Sequence, residues 1–255
     1  MTYLPDNSNC RNGERNIKKE IEKIRNEINK DQYYLHCQYV MGVLAVKVKI
    51  IGEQLESKYN REVIQNVSQR IKTPESIYAK MKRKNLKPEF TLAKTKLNDL
   101  IGIRIVCLFV DDVYEIVKML KEQKDLTLIK EKDYIAKPKK SGYMSLHLIM
   151  GVPVCIDNKM ETKTVEIQIR TTAMDFWSVL EYQLLYKKNV KGADKIGKEL
   201  KEYSEEIASL DRKMLKLRNR IDAILLQEPV FAVIIIESMQ TESRLIFHGR
   251  KNKKM

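Results

Sequence analysis

Two carboxylates in this sequence stand where carboxylates are costly. Glu166 lies inside the alternating run TVEIQIR (164–170), on the same face as Gln168 and Arg170. Asp99 closes a short turn just before the β-branched run GIRIVCLFV (102–110). A carboxylate buried at such a position needs a cation. Two readings meet that need. One is an ion pair with a neighbouring arginine. The other is a pair of hard oxygen ligands holding Mg²⁺ on a sheet platform for nucleotide chemistry.

The surrounding cations favour the second reading. Arg70, Lys72, Lys80 and Arg83 fall at the end of one predicted strand and on the helix behind it, where Lys80 and Arg83 share a face. Lys137, Lys139 and Lys140 fall in the loop KPKKSGY (137–143), shaped by Pro138 and Gly142. Cations gathered at a helix N-terminus and a glycine-bearing loop make a phosphate site. The segment SGYMSLH (141–147) then carries Tyr143 and His147 into a strand with little packing rationale. No G-x-x-x-x-G-K-[ST] and no G-x-G-x-x-G occurs, and the chain has only 9 glycines. A nucleotide would therefore be held by side-chain cations and metal rather than by a glycine cradle.

The elements that must position these residues are legible from periodicity. Residues 1–15 read as a flexible arm, and 16–59 as two helices: Ile17, Ile21, Ile24 and Ile28 recur at helical spacing, and a second, apolar helix starts near Gln32. Residues 62–71 alternate as a strand. Thr73 and Pro74 signal the start of a helix reaching about Asn85. The run 102–110 is a strand, closed by Asp111 and Asp112, which cap a helix to about Glu122. Strands follow at 126–132, 145–155 and 163–170, and Thr171 caps a helix running to about Lys188. A charged helix covers 193–227, with an apolar stripe through Ile196, Leu200, Ile207, Leu210, Leu215 and Leu217. VFAVIII and RLIF suggest a short hairpin before the basic end. Strands and helices interleave without clean βαβ repeats, so the fold class is α+β: a mixed sheet flanked by helices, with helical extensions at both ends.

Composition narrows the partners. The 255 residues carry 48 Lys and Arg against 34 Asp and Glu, a net charge of +14, which asks for an anionic partner. More than half of that excess falls in 70–84 and 130–140. The longest uncharged apolar run, Tyr39 to Val46, is short of a membrane span. The first fifteen residues are polar and lack a signal-peptide core. The four cysteines form no C-x-x-C pair, and Cys107 and Cys155 sit in apolar runs, so buried free thiols and a cytoplasmic location are expected.

Four segments together resemble the alarmone synthetase domain of the RelA/SpoT family, in order and in spacing. They are RIKTPESIYAKMKRK (70–84), LNDLIGIRIV (97–106), KDYIAKPKKSGYMSLHLIM (132–150) and VEIQIRTTAMDFWSVLEYQLLYK (165–187). The resemblance spans about residues 60–190 and implies a nucleotidyltransferase-like mixed sheet there. On either side it leaves the helices, the 191–227 segment as an oligomer contact, and a hairpin with a basic tail over 228–255. The length resembles the small stand-alone synthetases. No His-Asp dipeptide suggests the family's hydrolase domain, so synthesis without hydrolysis is expected.

The family's reaction moves the β,γ-pyrophosphate of ATP to the ribose 3′-hydroxyl of GDP or GTP, releasing AMP. By resemblance, Asp99 binds Mg²⁺, and Glu166 shares the metal or accepts the hydroxyl proton. Arg70 and Arg104 sandwich adenine. Lys72, Ser76, Lys80 and Arg83 contact the ATP phosphates. Tyr143 stacks on guanine, Lys137, Lys139 and His147 contact acceptor or transferred phosphates, and Gln168 and Arg170 support Glu166. Asp175 has two readings: it takes the N1–H and N2–H₂ of guanine, or it only favours the first turn of its helix. Where the family commonly has Glu-His after the tryptophan, this chain has Glu181-Tyr182. A homotetramer built through terminal helices is implied, with regulation by alarmone or RNA. Two alternatives stay open: the same chemistry on the 3′ end of tRNA, and a basic RNA-binding module with a decayed site.

Overall fold

The computed structural model describes residues 8–30, 32–156, 158–185 and 193–227. The expected hairpin after residue 228 and the basic tail lie outside them. The element order is α1 (Ser8–Lys30), α2 (Tyr33–Tyr59), β1 (Ile64–Ile71), α3 (Pro74–Arg83), α4 (Phe90–Lys96), β2 (Ile101–Cys107), α5 (Val110–Lys121), β3 (Thr127–Asp133), β4 (Leu146–Ile156), β5 (Lys159–Thr171), α6 (Thr172–Leu185) and α7 (Ala193–Gln227). The chain divides into two compact units, residues 1–208 and 209–255.

The sheet has 5 strands in the order β1-β2-β5-β4-β3. β2 and β5 run parallel at its centre, and the other pairings are antiparallel. The register aligns apolar rows across three strands. Ile101 faces Val165, which faces Met150; Ile103, Ile167 and Leu148 form the next row, and Ile105, Ile169 and Leu146 the third. All nine are buried. α2 and α5 pack on the sheet and complete the core through Cys37, Val40, Leu44, Val48, Ile51, Val113, Ile116 and Leu120. Each such side chain contributes about 1.5–3 kcal/mol on burial. The same alternation turns every second residue of β2, β4 and β5 to the opposite face, which carries the polar set.

Several expectations need correction. The helix begins at Ser8, so residues 8–15 are not part of an arm. Gly13 costs a helix only about 1 kcal/mol, and anchoring by buried Ile24 and Ile28 outweighs it. The strand expected over 102–110 stops at Cys107, because Asp112 accepts a hydrogen bond from the Phe109 N–H (3.2 Å) and turns the chain into α5. Cys155 is exposed, near the far end of the β4–β5 hairpin. α2 is long and apolar enough to cross a membrane by length and composition alone, contrary to what its uninterrupted apolar run suggests. One face of it is buried in the fold, from Tyr33 through Leu55.

Candidate active site

Register builds the site row by row. Arg70 lies opposite Gly102, Gly102 opposite Glu166, and Glu166 opposite Ile149. One step along, Ser68, Arg104, Gln168, His147 and Lys132 form a second row. The first row needs its glycine: a Cβ at position 102 would lie 3.2 Å from Arg70 Nε and 3.3 Å from Arg70 Cγ. Arg70 therefore lies across the bare backbone of Gly102. Arg70 and Arg104 line one cleft together with Ser68, Gly102 and Gln168.

Asp99 sits at the end of this face. The Lys72 N–H donates to the Leu100 carbonyl (2.8 Å), which carries the β1–β2 ladder one residue further and sets Lys72 beside Asp99. Lys72 Nζ is 2.7 Å and Lys80 Nζ 2.5 Å from Asp99 Oδ2. α3 delivers Lys80 because Thr73 caps it, accepting from the Ser76 N–H at 3.3 Å. Burial works against the Asp99 carboxylate, but hydrogen bonds from Lys72 and Lys80 prevail and lower its pKa. Burial likewise lowers the pKa of Lys72 against the pull of Asp99. The second oxygen, Asp99 Oδ1, is buried with no hydrogen-bond partner.

Glu166 is held at both oxygens. Gln168 Nε2 donates to Oε2 at 2.8 Å, and His147 Nδ1 lies 3.4 Å from Oε1. Burial raises its pKa, and the hydrogen bonds from His147 and Gln168 outweigh that, leaving it lowered. Burial is also the chief influence on His147 and lowers its pKa. A neutral imidazole suits both neighbours: Nδ1–H faces Glu166, and Nε2 accepts from the Tyr143 hydroxyl at 2.8 Å. Tyr134 packs edge-on against both Tyr143 and His147. Lys139 Nζ sits 4.4 Å from the Tyr143 ring centroid and 4.6 Å from that of Tyr134.

The third cluster joins strands to α6. Thr171 caps this helix, accepting from the Met174 N–H at 3.2 Å. Asp175 in its first turn stands 3.4 Å from Arg104 Nη1 and 3.3 Å from Arg170 Nε. The buried Arg170 donates to Gln168 Oε1 at 3.3 Å. Arg104 Nε and Arg170 Nη1 are buried without hydrogen-bond partners, while Arg170 Nε has only its ion pair with Asp175. Buried unpaired donors carry a desolvation cost that a bound anion removes.

Fold and register thus bring together Asp99, Lys72 and Lys80 in one group, and Glu166, Gln168, Arg170, Arg104, His147, Tyr143, Lys139 and Asp175 in another, with Arg70 in the cleft that Arg104 and Gln168 line. Ser76 lies in the first turn of α3, while Arg83 and Lys137 are exposed. Tyr182 is half-exposed on α6. The sequence alone gives no reason to single out Gly102 or Tyr134, and it offers Lys132 only as one cation of the 130–140 cluster. Tyr134 shares the segment 132–150 with Tyr143 and His147, and its ring type is the one signal of its place beside them. Gly102 and Lys132 gain meaning only from register. Among the described residues no group of three or more His, Cys, Asp and Glu forms a metal cluster. The Asp99 charge raises the pKa of Glu166 slightly against the stronger lowering contacts, and the orphaned Asp99 Oδ1 is a hard oxygen donor of the kind Mg²⁺ takes beside substrate phosphates.

A family model described as a region found in RelA / SpoT proteins matches residues 69–191. GTP pyrophosphokinase YwaC of Bacillus subtilis is 37% identical over 206 residues, 81% of this chain and 95% of that protein. The chain belongs to the RelA/SpoT family. GTP pyrophosphokinase YjbM of the same organism is 36% identical over 191 residues, covering 75% of this chain and 89% of the relative. Among solved structures, small alarmone synthetase 1 from Bacillus subtilis bound to its product pppGpp superposes with a TM-score of 0.68 at 33% identity, covering 76% of this chain and 98% of that one. Small alarmone synthetase 2 from the same bacterium gives a TM-score of 0.66 at 37% identity, with 75% and 99% covered. These RelA/SpoT relatives match nearly end to end.

Proposed function

We propose that this protein is a (p)ppGpp synthetase that transfers the β,γ-pyrophosphate of ATP to the ribose 3′-hydroxyl of GDP or GTP. The observation that carries this reading is the face shared by Asp99, Glu166 and the unpaired arginine donors, in a chain whose relatives are named GTP pyrophosphokinases. The 3′-oxygen attacks the β-phosphorus of ATP, the bond from that phosphorus to the α,β-bridging oxygen breaks, and AMP leaves. Glu166, ionised and fixed by Gln168 and His147, accepts the hydroxyl proton. Asp99 and Glu166 would hold Mg²⁺, which would supply charge neutralisation at the transferred group.

Lys72 and Lys80 pair with Asp99 and turn to the ATP phosphates when the nucleotide binds, so charge is exchanged rather than added. Arg70 and Arg104 take the adenine from the two sides of their cleft. Tyr143 offers its ring to guanine while its hydroxyl stays on His147, and Lys139 leaves the tyrosine rings for the acceptor phosphates. Positioning of the two substrates accounts for most of the rate in such a transfer.

The protein works in the cytoplasm as a homo-oligomer joined through its terminal helices. Two exposed apolar stripes support the assembly. Leu35, Tyr39, Val46 and Ile50 run along α2, and Leu210, Met214, Leu217, Ile221 and Ile224 along α7 at alternating four- and three-residue steps, the spacing of a helix-pairing seam.

The test is product identity. Incubation of the pure protein with ATP and each guanine nucleotide should yield AMP and a 3′-pyrophosphorylated guanine nucleotide in equal amounts by anion-exchange chromatography. ATP turnover that requires tRNA, or no turnover with any guanine nucleotide, overturns the reading.

A further inference from the structure

The loop that carries Lys139 and Tyr143 is fastened to α7. Gly142 has φ +91°, and its carbonyl accepts a hydrogen bond from the buried Ser204 hydroxyl at 2.5 Å. The fit leaves no slack: a Cβ at position 142 would meet Ser204 Cβ at 2.8 Å, Ser204 Oγ at 2.9 Å and the backbone Cα of Lys201 at 3.3 Å. Only glycine satisfies both the backbone conformation and the close approach of the helix.

Gly142 in turn sets its neighbours. Its N–H donates to the Lys139 carbonyl at 2.8 Å, and the Lys139 N–H donates to the Tyr143 carbonyl at 3.1 Å. Lys139 and Tyr143 are thus locked across a tight turn whose apex touches α7. The helix itself is fixed from below. Trp177, buried on α6, donates its Nε1–H to the Leu200 carbonyl at 2.8 Å, one turn before Ser204. α6 also bears Asp175, the partner of Arg104 and Arg170.

We infer that Ser204 is a positioning residue for the acceptor nucleotide. Acting through Gly142, it holds the 139–143 turn so that Tyr143 presents its ring and Lys139 its ammonium to the guanine nucleotide, while the ATP side of the site, built on β1, β2 and α3, does not depend on it. The inference rests on the proposed function, since it names the acceptor subsite of that reaction. It gives the first part of α7 a task in substrate binding.

The experiment compares Ser204→Ala with the parent protein. Ser204→Ala leaves the Gly142 carbonyl without its buried donor and frees the turn. GDP affinity by calorimetry, and the Michaelis constant for GDP, should weaken on the order of 5- to 10-fold. The constant for ATP, the affinity for a non-transferable ATP analogue, and kcat at saturating GDP should stay within about twofold of the parent. Parallel loss for both nucleotides, or no loss for either, overturns the proposal, because a general loosening of the fold spares neither substrate. Should the alanine variant melt too early to assay, Ser204→Cys keeps a weak donor and carries the same expectation at a smaller magnitude, and unchanged GDP affinity there counts against the proposal. A parent protein that makes no alarmone refutes the proposed function instead. A parent that makes it with acceptor affinity indifferent to Ser204 refutes this inference alone.

Discussion

Gln168 and His147 occupy one oxygen each of Glu166, so the carboxylate cannot rotate and its remaining lone pairs keep a fixed direction. Such an arrangement suits a base that must meet one hydroxyl in one geometry. It also separates binding from turnover. Glu166→Gln keeps the volume and can still accept from Gln168, its amide nitrogen donating to His147 once that imidazole takes its other tautomer, but it cannot take a proton. Nucleotide affinities measured by calorimetry should stay within about threefold, and kcat should fall ~10²- to 10⁴-fold, the usual range for removing a positioned base. Near-parental turnover at saturating ATP and GDP would remove Glu166 from the proton transfer. Asp175 illustrates a different lesson at the same scale. Its carboxylate faces two arginines, one on β2 and one on β5, an engagement beyond both readings its sequence position suggested. Nothing local to position 175 announces partners 71 and 5 residues away.

Strand pairing turns scattered residues into a site. β2 contributes Gly102 and Arg104 to one face and Ile101, Ile103 and Ile105 to the other, and β5 repeats the division with Glu166, Gln168 and Arg170 against Val165, Ile167 and Ile169. The bare position matters as much as the charged ones, because Arg70 crosses the sheet over Gly102. Gly102→Val should push Arg70 off its path and raise the Michaelis constant for ATP about 5- to 10-fold, with little change for GDP, in steady-state assays. An unchanged ATP constant would place adenine elsewhere. The alternation of 164–170 was legible because both faces there are strongly contrasted. Residues Lys159–Lys163 carry no such contrast and become strand only by pairing with Val152–Ile156. α4, seven residues long and without a capping side chain at Glu89, left no start signal. Phe109 and Val110 look like strand by type, and a hydrogen bond to Asp112 overrules them. The polar face itself was readable strand by strand, but which residues stand opposite one another was not, since register is a property of pairs.

Across the whole molecule the net charge of +14 and the exposed apolar stripes pull in opposite directions. Like charge keeps copies apart, and the stripes ask to be covered. The stripe on α7 is where the proposed association would cover apolar surface, because Leu210, Met214, Leu217, Ile221 and Ile224 return to one side of the helix with charged residues between them. A charged pair inside that seam should be far more damaging than one outside it. Leu217→Glu combined with Ile221→Glu places like charges one turn apart on the same face. In light scattering after size exclusion, the mass should fall from that of an oligomer to that of a smaller species, more sharply at low salt, where repulsion is least screened. Lys213→Glu with Lys216→Glu alters the net charge twice as much but leaves the seam intact, so its mass should match the parent. Loss of mass in both variants would trace the assembly to charge rather than to the stripe, and loss in neither would leave α7 without a part in it.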